Sequence, residues 1–298
     1  MVHTLAMSAA SMIIEWLLCC SGASEEISEK AFYQWMRKNA IKNEKETKRL
    51  PLLHGVKVVH GVYCGMNYFV FTPREIDSTK TILYIHGSGY VCPHQRMHLR
   101  FAAALARNLH VKVYFPLYPK LPFATIRSCF ALLNNYYAFL HKKGEVLLVG
   151  DSSGGALALS LAAEQPSIES IVAISPWVLL SIGEEGRRVE SDKILSLSKL
   201  DYAARLWRDD VDEIDVRVSP FFGDYSHKNI MLFVGERERF RPDVYRFFRE
   251  QSGLGSEITY IEGLGQQHCY PLMSTPEGKE ARETIYRKLR GILYGDNV

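Results

Sequence analysis

The chain predicts an α/β fold in which a mostly parallel central sheet is covered by helices on both faces. Three observations predict it. Short, wholly apolar runs such as Thr81 to Ile85 and Ile171 to Ile174 read as strands buried on both sides. Stretches with apolar residues at helical spacing separate them, so strands and helices alternate. Finally, Glu145 to Leu159 runs from an apolar strand through Gly150-Asp151-Ser152-Ser153-Gly154 into small residues and leucines at helical spacing. The 298 residues are enough for one large domain, or at most two small ones.

From the start of the chain, Ala6 to Cys20 is apolar, but no Lys or Arg precedes it and Glu15 interrupts it. Met12, Ile13, Trp16, Leu17 and Cys20 share one helical face, so the run reads as an amphipathic helix rather than a signal peptide. Leu17-Leu18-Cys19-Cys20 resembles a lipoprotein cleavage site only faintly. The run is too short and too interrupted to span a membrane. Ser28 opens a second helix that extends to Asn43, with acids in its first turn. Residues 1–50 therefore read as a helical cap or arm over a main domain at 51–298. Val56 to Cys64 and Asn67 to Thr72 are expected strands around a turn at Gly65. Thr81 to Ile85 follows and ends on His86-Gly87-Ser88-Gly89-Tyr90; then come a helix from Gln95 to Asn108 and a strand from Val111 to Leu117. A helix through Tyr137, the strand and helix around Ser152, and the strand Ile171 to Ile174, stopped by Ser175-Pro176-Trp177, continue the alternation. Residues 181–217 are polar and helical without strand character, as an insertion between strands would be. The sheet resumes at Ile230 to Val234, and a helix through Phe247, a strand at Ile258 to Ile261 and an amphipathic helix from Glu277 to Leu293 close the chain.

Composition narrows the function classes. Apolar residues make up 47 % and charged residues 23 %, as in ordinary soluble globular proteins. A formal net charge of +3 gives no reason to expect nucleic acid, and the stretch Lys42 to Arg49 reads as a solvated linker or helix face. The six cysteines (Cys19, Cys20, Cys64, Cys92, Cys129 and Cys269) have neither metal-type spacing nor disulfide-rich density. They read as mostly reduced thiols in a cytoplasmic protein.

The strand–turn–helix around Ser152 is the arrangement that lifts a serine out of a sheet and presents its Oγ. Serine needs a base within hydrogen-bond reach and a third group to orient that base. Only His227 and His268 lie downstream of Ser152. His268 follows the last expected strand and so falls on the catalytic edge of the sheet, whereas His227 precedes a strand and falls on the opposite edge. The orienting acid is expected in the loop after Val234, where Glu236, Glu238 and Asp243 all qualify and Glu238 is preferred. Arginines in the same loop offer these acids simple ion pairing instead. His86-Gly87-Ser88-Gly89 ends another strand on that edge, and the backbone N–H groups of Ser88, Gly89 and Ser153 make a three-donor oxyanion hole. Gly150 and Gly154 keep side chains out of the tight elbow, and Asp151 reads as its brace. Cys92 and Cys269 read as packing, and Tyr90, Phe221 and Phe222 as pocket lining or core.

His86-Gly87-Ser88-Gly89-Tyr90 resembles the His-Gly-Gly-Gly signature of the hormone-sensitive-lipase branch of the α/β-hydrolases. Gly150-Asp151-Ser152-Ser153-Gly154-Gly155 resembles that branch's Gly-Asp-Ser-Ala-Gly-Gly elbow. Tyr118-Pro119 with Pro122-Phe123, Ser175-Pro176-Trp177, and His268 with Tyr270-Pro271 are similar to weaker landmarks, so the resemblance covers about residues 55–295. It implies an α/β-hydrolase fold with a helical cap and a cofactor-free serine carboxylesterase acting on a small ester. Homodimerisation through the final strand and helix is a further implication. The branch's usual Asp in Glu-x-Asp-x-Leu aligns with Glu238, one methylene longer, and Ser88 stands where the branch has its middle glycine. No Gly-rich phosphate loop and no ligand-spaced His/Cys cluster is present, so neither a cofactor nor a metal is expected. The other readings of the same residues are a non-catalytic small-molecule-binding protein on this fold, and an amidase, peptidase or acyltransferase using the same triad.

Overall fold

The computed structural model describes residues 2–3, 7–47 and 53–295. Ala6, where the N-terminal apolar run begins, and the boundary expected near residue 50 lie outside them, as do Lys48 and Arg49. The strands are β1 (Val2–His3), β2 (Val56–Tyr63), β3 (Met66–Pro73), β4 (Thr81–Ile85), β5 (Lys112–Pro116), β6 (Val146–Asp151), β7 (Ser170–Ile174), β8 (Asn229–Gly235) and β9 (Glu257–Gly263). The helices are α1 (Ala9–Ser21), α2 (Glu29–Asn43), α3 (Arg96–Leu109), α4 (Ile126–His141), α5 (Ser152–Glu164), α6 (Glu184–Arg187), α7 (Leu197–Arg208), α8 (Arg241–Gly253) and α9 (Pro276–Tyr294). Among the described residues the strands form one sheet in the order β1-β9-β8-β7-β6-β4-β5-β3-β2. Only the β2–β3 and β3–β5 pairings are antiparallel.

The apolar strands read as doubly buried because they are. Along β4, Ile82 and Tyr84 join the core on one face, with α3 and α9, while Leu83 and Ile85 join the core on the other, with α4, α5, α7 and α8. Alternate side chains thus reach opposite cores, as the strand period requires. Since β4, β6, β7, β8 and β9 run parallel, residues 86, 151, 175, 235 and 263 all emerge at one edge. That edge carries the site, in keeping with the rule for open α/β sheets.

The N-terminal helix α1 forms where the sequence predicts one, but the pattern leaves open which side meets the protein. Met12, Ile13, Trp16 and Leu17 are 51 %, 60 %, 64 % and 53 % exposed, so its apolar stripe faces outward. Polar contacts hold the opposite side. Ser8 and Ser11 hydrogen-bond Glu277, Ser11 also reaches Gln266, and Glu15 pairs with Arg237. α2 packs on α7, where the Phe32 and Tyr202 rings lie 5.3 Å apart. Among the described residues no helix is long and apolar enough to cross a membrane.

Candidate active site

The nucleophile elbow is built where β6 stops. Asp151 ends the strand, and Ser152, the first residue of α5, adopts a left-handed φ of 52°. A non-glycine residue holds this conformation only where its surroundings over-determine it. Here packing does so: a Cβ on Gly154 would run into the carbonyl oxygens of Ile85 and His86, and one on Gly87 would overlap the Asp151 carboxylate. The β4 end and the elbow thus touch backbone to backbone. Asp151 braces the contact, accepting from Tyr84 OH at 2.7 Å and lying 3.3 Å from His98 Nε2. Burial pushes its carboxyl up, but the His98 imidazole, Tyr84 hydroxyl and Gly87 N–H outweigh it and hold the group below the usual carboxylate range.

Ser152 Oγ lies 2.9 Å from His268 Nε2, and His268 Nδ1 lies 3.2 Å from Glu238 Oε2. The structure therefore brings together Ser152, His268 and Glu238 from three separate strand ends. It does not bring in the other two acids. Glu236 is exposed and accepts from the Gly265 N–H at 2.6 Å, while Asp243, in the first turn of α8, accepts from the Gly183 N–H at 2.9 Å. His227 precedes β8 at the far edge of the sheet.

Ser175 completes this hydrogen-bond line, a role that neither its place at the end of a strand nor its place in a family landmark announces. Its hydroxyl donates to Glu238 Oε2 at 2.7 Å and accepts from the Cys269 N–H at 3.0 Å. One buried side chain thus ties the acid to the residue after the histidine. Ser175 and Cys269 are both left-handed, with φ of 47° and 58°. No local sequence signal marks these bonds, because the partners lie 63 and 94 positions away.

Burial disfavours the His268 imidazolium, but the Cys269 sulfur and the Glu238 carboxylate more than offset it, and the His268 pKa lies well above its ordinary value. We ascribe this rise to Glu238, because burial pushes the Cys269 thiol up to about 11 and leaves it uncharged near neutrality. The Cys92 thiol is likewise pushed up to about 11 by burial. Glu238 itself is raised by burial against the pull of His268 and Ser175. Neither thiol has the depressed pKa of a reactive cysteine.

At the end of β4, Gly89 turns left-handed with φ 56°, and its N–H donates to no group among the described residues. The Ser153 N–H, at the start of α5, is one of the donors that a helix leaves without an intrahelical acceptor. The Ser88 N–H is engaged, donating to Ser153 Oγ at 3.0 Å. His86 is fully buried and stacked on Phe115 at 5.1 Å, so it supports the loop from beneath. Tyr90 is buried between Trp177 and Trp207, with centroids 5.4 and 4.3 Å away, and Trp207 comes from α7. Phe221 is buried, whereas Phe222 is 50 % exposed. Among the described residues no three His, Cys, Asp or Glu side chains are placed to share a metal ion.

The N-terminal arm supplies a residue that charge patterning missed. Glu46, in the stretch expected to be solvated, accepts from the His94 N–H at 2.7 Å and lies 3.2 Å from Lys120 Nζ. The Glu46 and Lys120 side chains are only 6 % and 2 % exposed. Asn43 Nδ2 also donates to the Val91 carbonyl at 2.9 Å, so the end of α2 grips the loop that carries Ser88 and Gly89.

An acetyl-hydrolase of Streptomyces hygroscopicus is 25 % identical over 227 residues, 71 % of this chain and 75 % of that protein. The structure of an esterase/lipase from an uncultured bacterium superposes with a TM-score of 0.82 at 18 % identity, over 95 % of this chain and 98 % of that one. An esterase of the bacterial hormone-sensitive lipase family also gives 0.82, at 19 % identity, over 96 % and 99 % of the two chains. At such identities the two structures establish a shared fold. The model of one family matches residues 82–272, from β4 through the loop that bears His268, and on that match the chain belongs to the alpha/beta hydrolase fold family.

Proposed function

We propose that the protein is a serine carboxylesterase of the hormone-sensitive-lipase-like branch, hydrolysing small carboxylic esters through an acyl-enzyme on Ser152. The observation that carries this reading is the line from Ser152 Oγ through His268 to Glu238, at 2.9 and 3.2 Å, beside unengaged backbone donors. The relative named acetyl-hydrolase and the neighbours named esterases support it.

In this mechanism Nδ1–H of His268 donates to Glu238, which leaves Nε2 as the acceptor for the Ser152 proton. Oγ attacks the ester carbonyl carbon, and the carbonyl π pair moves to oxygen, where the backbone donors stabilise the oxyanion. The position of Ser152 and Ser153 at the start of α5 adds the positive end of the helix dipole. The imidazolium returns the proton to the departing alkoxide as the tetrahedral intermediate collapses. Water, deprotonated by the same nitrogen, then releases the carboxylic acid from Ser152.

Residues 1–50 and 181–217 form the cap in this reading, supported by the packing of α2 on α7 and of Trp207 on Tyr90. A cytoplasmic location and a homodimer are part of the same proposal. The six unpaired cysteines support the first, and the resemblance to the branch supports the second.

Hydrolysis of p-nitrophenyl esters, from acetate to long acyl chains, tests the reading with wild type and Ser152→Ala. The expected result is turnover of short chains that Ser152→Ala abolishes. A wild type that neither turns over an ester nor is labelled at Ser152 by a fluorophosphonate overturns it.

A further inference from the structure

We propose that three hydroxyls beneath the oxyanion loop, those of Ser88, Ser153 and Tyr118, form a lock that aims the loop. The lock consumes the Ser88 N–H, so the tetrahedral intermediate is held by the N–H groups of Gly89 and Ser153 alone. The inference rests on the esterase reading and specifies how that site holds its oxyanion.

The directions of the hydrogen bonds follow from donor and acceptor counts. The His86 carbonyl can only accept, so Tyr118 OH, 2.9 Å away, donates to it. A phenol has one proton, so in the 2.7 Å contact between Ser88 Oγ and Tyr118 OH the serine donates. Ser88 Oγ in turn accepts from the Tyr90 N–H at 3.1 Å. The relay therefore runs Tyr90 N–H to Ser88, Ser88 to Tyr118, and Tyr118 to the His86 carbonyl. The second tie is the Ser88 N–H donating to Ser153 Oγ at 3.0 Å. Together they join the end of β4, the elbow at the head of α5, and the segment after β5.

Two features give the lock work to do. Gly89 and Tyr90 are consecutive left-handed residues, with φ of 56° and 61°, and Tyr90 is not glycine. Such a turn persists only when neighbouring groups impose it. Moreover, Ser88 and Ser153 stand where the resembled branch has glycine and alanine, which bring no hydroxyl. The two departures meet each other: the amide of one bonds the side chain of the other. Ser88 therefore adds no obstruction to the oxyanion site, because its side chain is committed to Tyr118. Tyr118 and Ser153 are buried to 1 % and 0 % exposure, so water does not replace either bond.

The test compares wild type with Ser153→Ala, Ser153→Thr and Tyr118→Phe on a short p-nitrophenyl ester. It also measures inhibition by a trifluoromethyl ketone, which forms a tetrahedral adduct on serine. Removing one donor of an oxyanion hole costs about 10²–10³ in kcat, so misaiming the remaining donors is expected to cost on the order of tenfold. Ser153→Ala and Tyr118→Phe should each lose that factor in kcat with KM nearly unchanged. Ketone affinity should fall in parallel, and the acid limb of the pH profile should not move. Ser153→Thr, which keeps the hydroxyl, should retain most of the activity. Unchanged kcat in both deletion variants overturns the proposal, as does a loss of kcat without loss of ketone affinity. A rise in kcat for Ser153→Ala also overturns it, since Ser153 would then be withholding a useful donor. Wild type without Ser152-dependent turnover or labelling overturns the esterase reading and the lock together, whereas an active wild type with unaffected variants sinks only the lock.

Discussion

Glu238 and Ser175 are the residues at which the site is most open to test. Glu238→Gln keeps the shape but removes the charge and permits the wrong imidazole tautomer. By analogy with the corresponding change in the serine-protease triad, a loss of about 10⁴ in kcat is expected. The pH profile should move as well. Imidazolium cannot take the Ser152 proton, so activity is lost as pH falls through the His268 pKa. Because Glu238 holds that pKa up, the wild-type acid limb lies above the ordinary histidine value of about 6.5. In Glu238→Gln the limb should move to lower pH, which kcat/KM measured across pH will show. Ser175→Ala leaves the Cys269 N–H without its acceptor and should cost about 1–3 kcal/mol in denaturant unfolding, together with kcat. Ser152 and His268 were legible because each stands at a strand end with local turn chemistry around it. Glu238 is preferred over Glu236 and Asp243 in the sequence, and alignment with the branch's Glu-x-Asp-x-Leu supports that choice, but all three follow the same strand and no local pattern singles one out. Exposure of Glu236 and engagement of Asp243 by Gly183 are facts of three-dimensional packing.

Among the elements, the strands and long helices were read to within a few residues, because a doubly buried sheet forces unbroken apolar runs. The arm was read less well. Its first helix has the amphipathic pattern, but the pattern does not say which side meets the protein, and serines and Glu15 anchor the polar side. Trp16→Gln, on the outward stripe, should therefore change stability by less than about 0.5 kcal/mol. Glu46 is the opposite case. Burial works against its charge, yet His94 and Lys120 hold its carboxyl below the usual range. Glu46→Gln leaves the Lys120 ammonium buried without a partner and should cost about 3–5 kcal/mol, read by denaturant unfolding. Lys120→Met added to Glu46→Gln should recover much of that loss, which a single variant cannot show.

On the scale of the whole molecule, the sheet leaves its edges unequal. β2 is one edge strand, while at the other the outer side of β9 pairs with Val2–His3 opposite Ile261 and Glu262. This two-residue strand carries no sequence signature, because so short a pairing needs no periodicity. A second copy that adds to β9 in register must displace it. The proposed dimer is therefore expected to form through helix faces, with a mass by light scattering that does not depend on residues 1–6. A mass that changes on their removal would place the contact at the β9 edge.

The left-handed residues at and around Ser152 have a consequence for how the protein can be altered. Ser152, Ser175 and Cys269 each hold a conformation that stores on the order of 1–3 kcal/mol. Of the three, position 269 gives up the least hydrogen bonding to glycine, since the buried side chain's contact with Asp151 is a long one at 3.9 Å. A library selected for heat resistance alone is thus drawn toward glycine beside His268, and away from the turnover proposed for that residue. Thermal tolerance and rate compete at position 269, so variants recovered by heating need to be sorted a second time by hydrolysis.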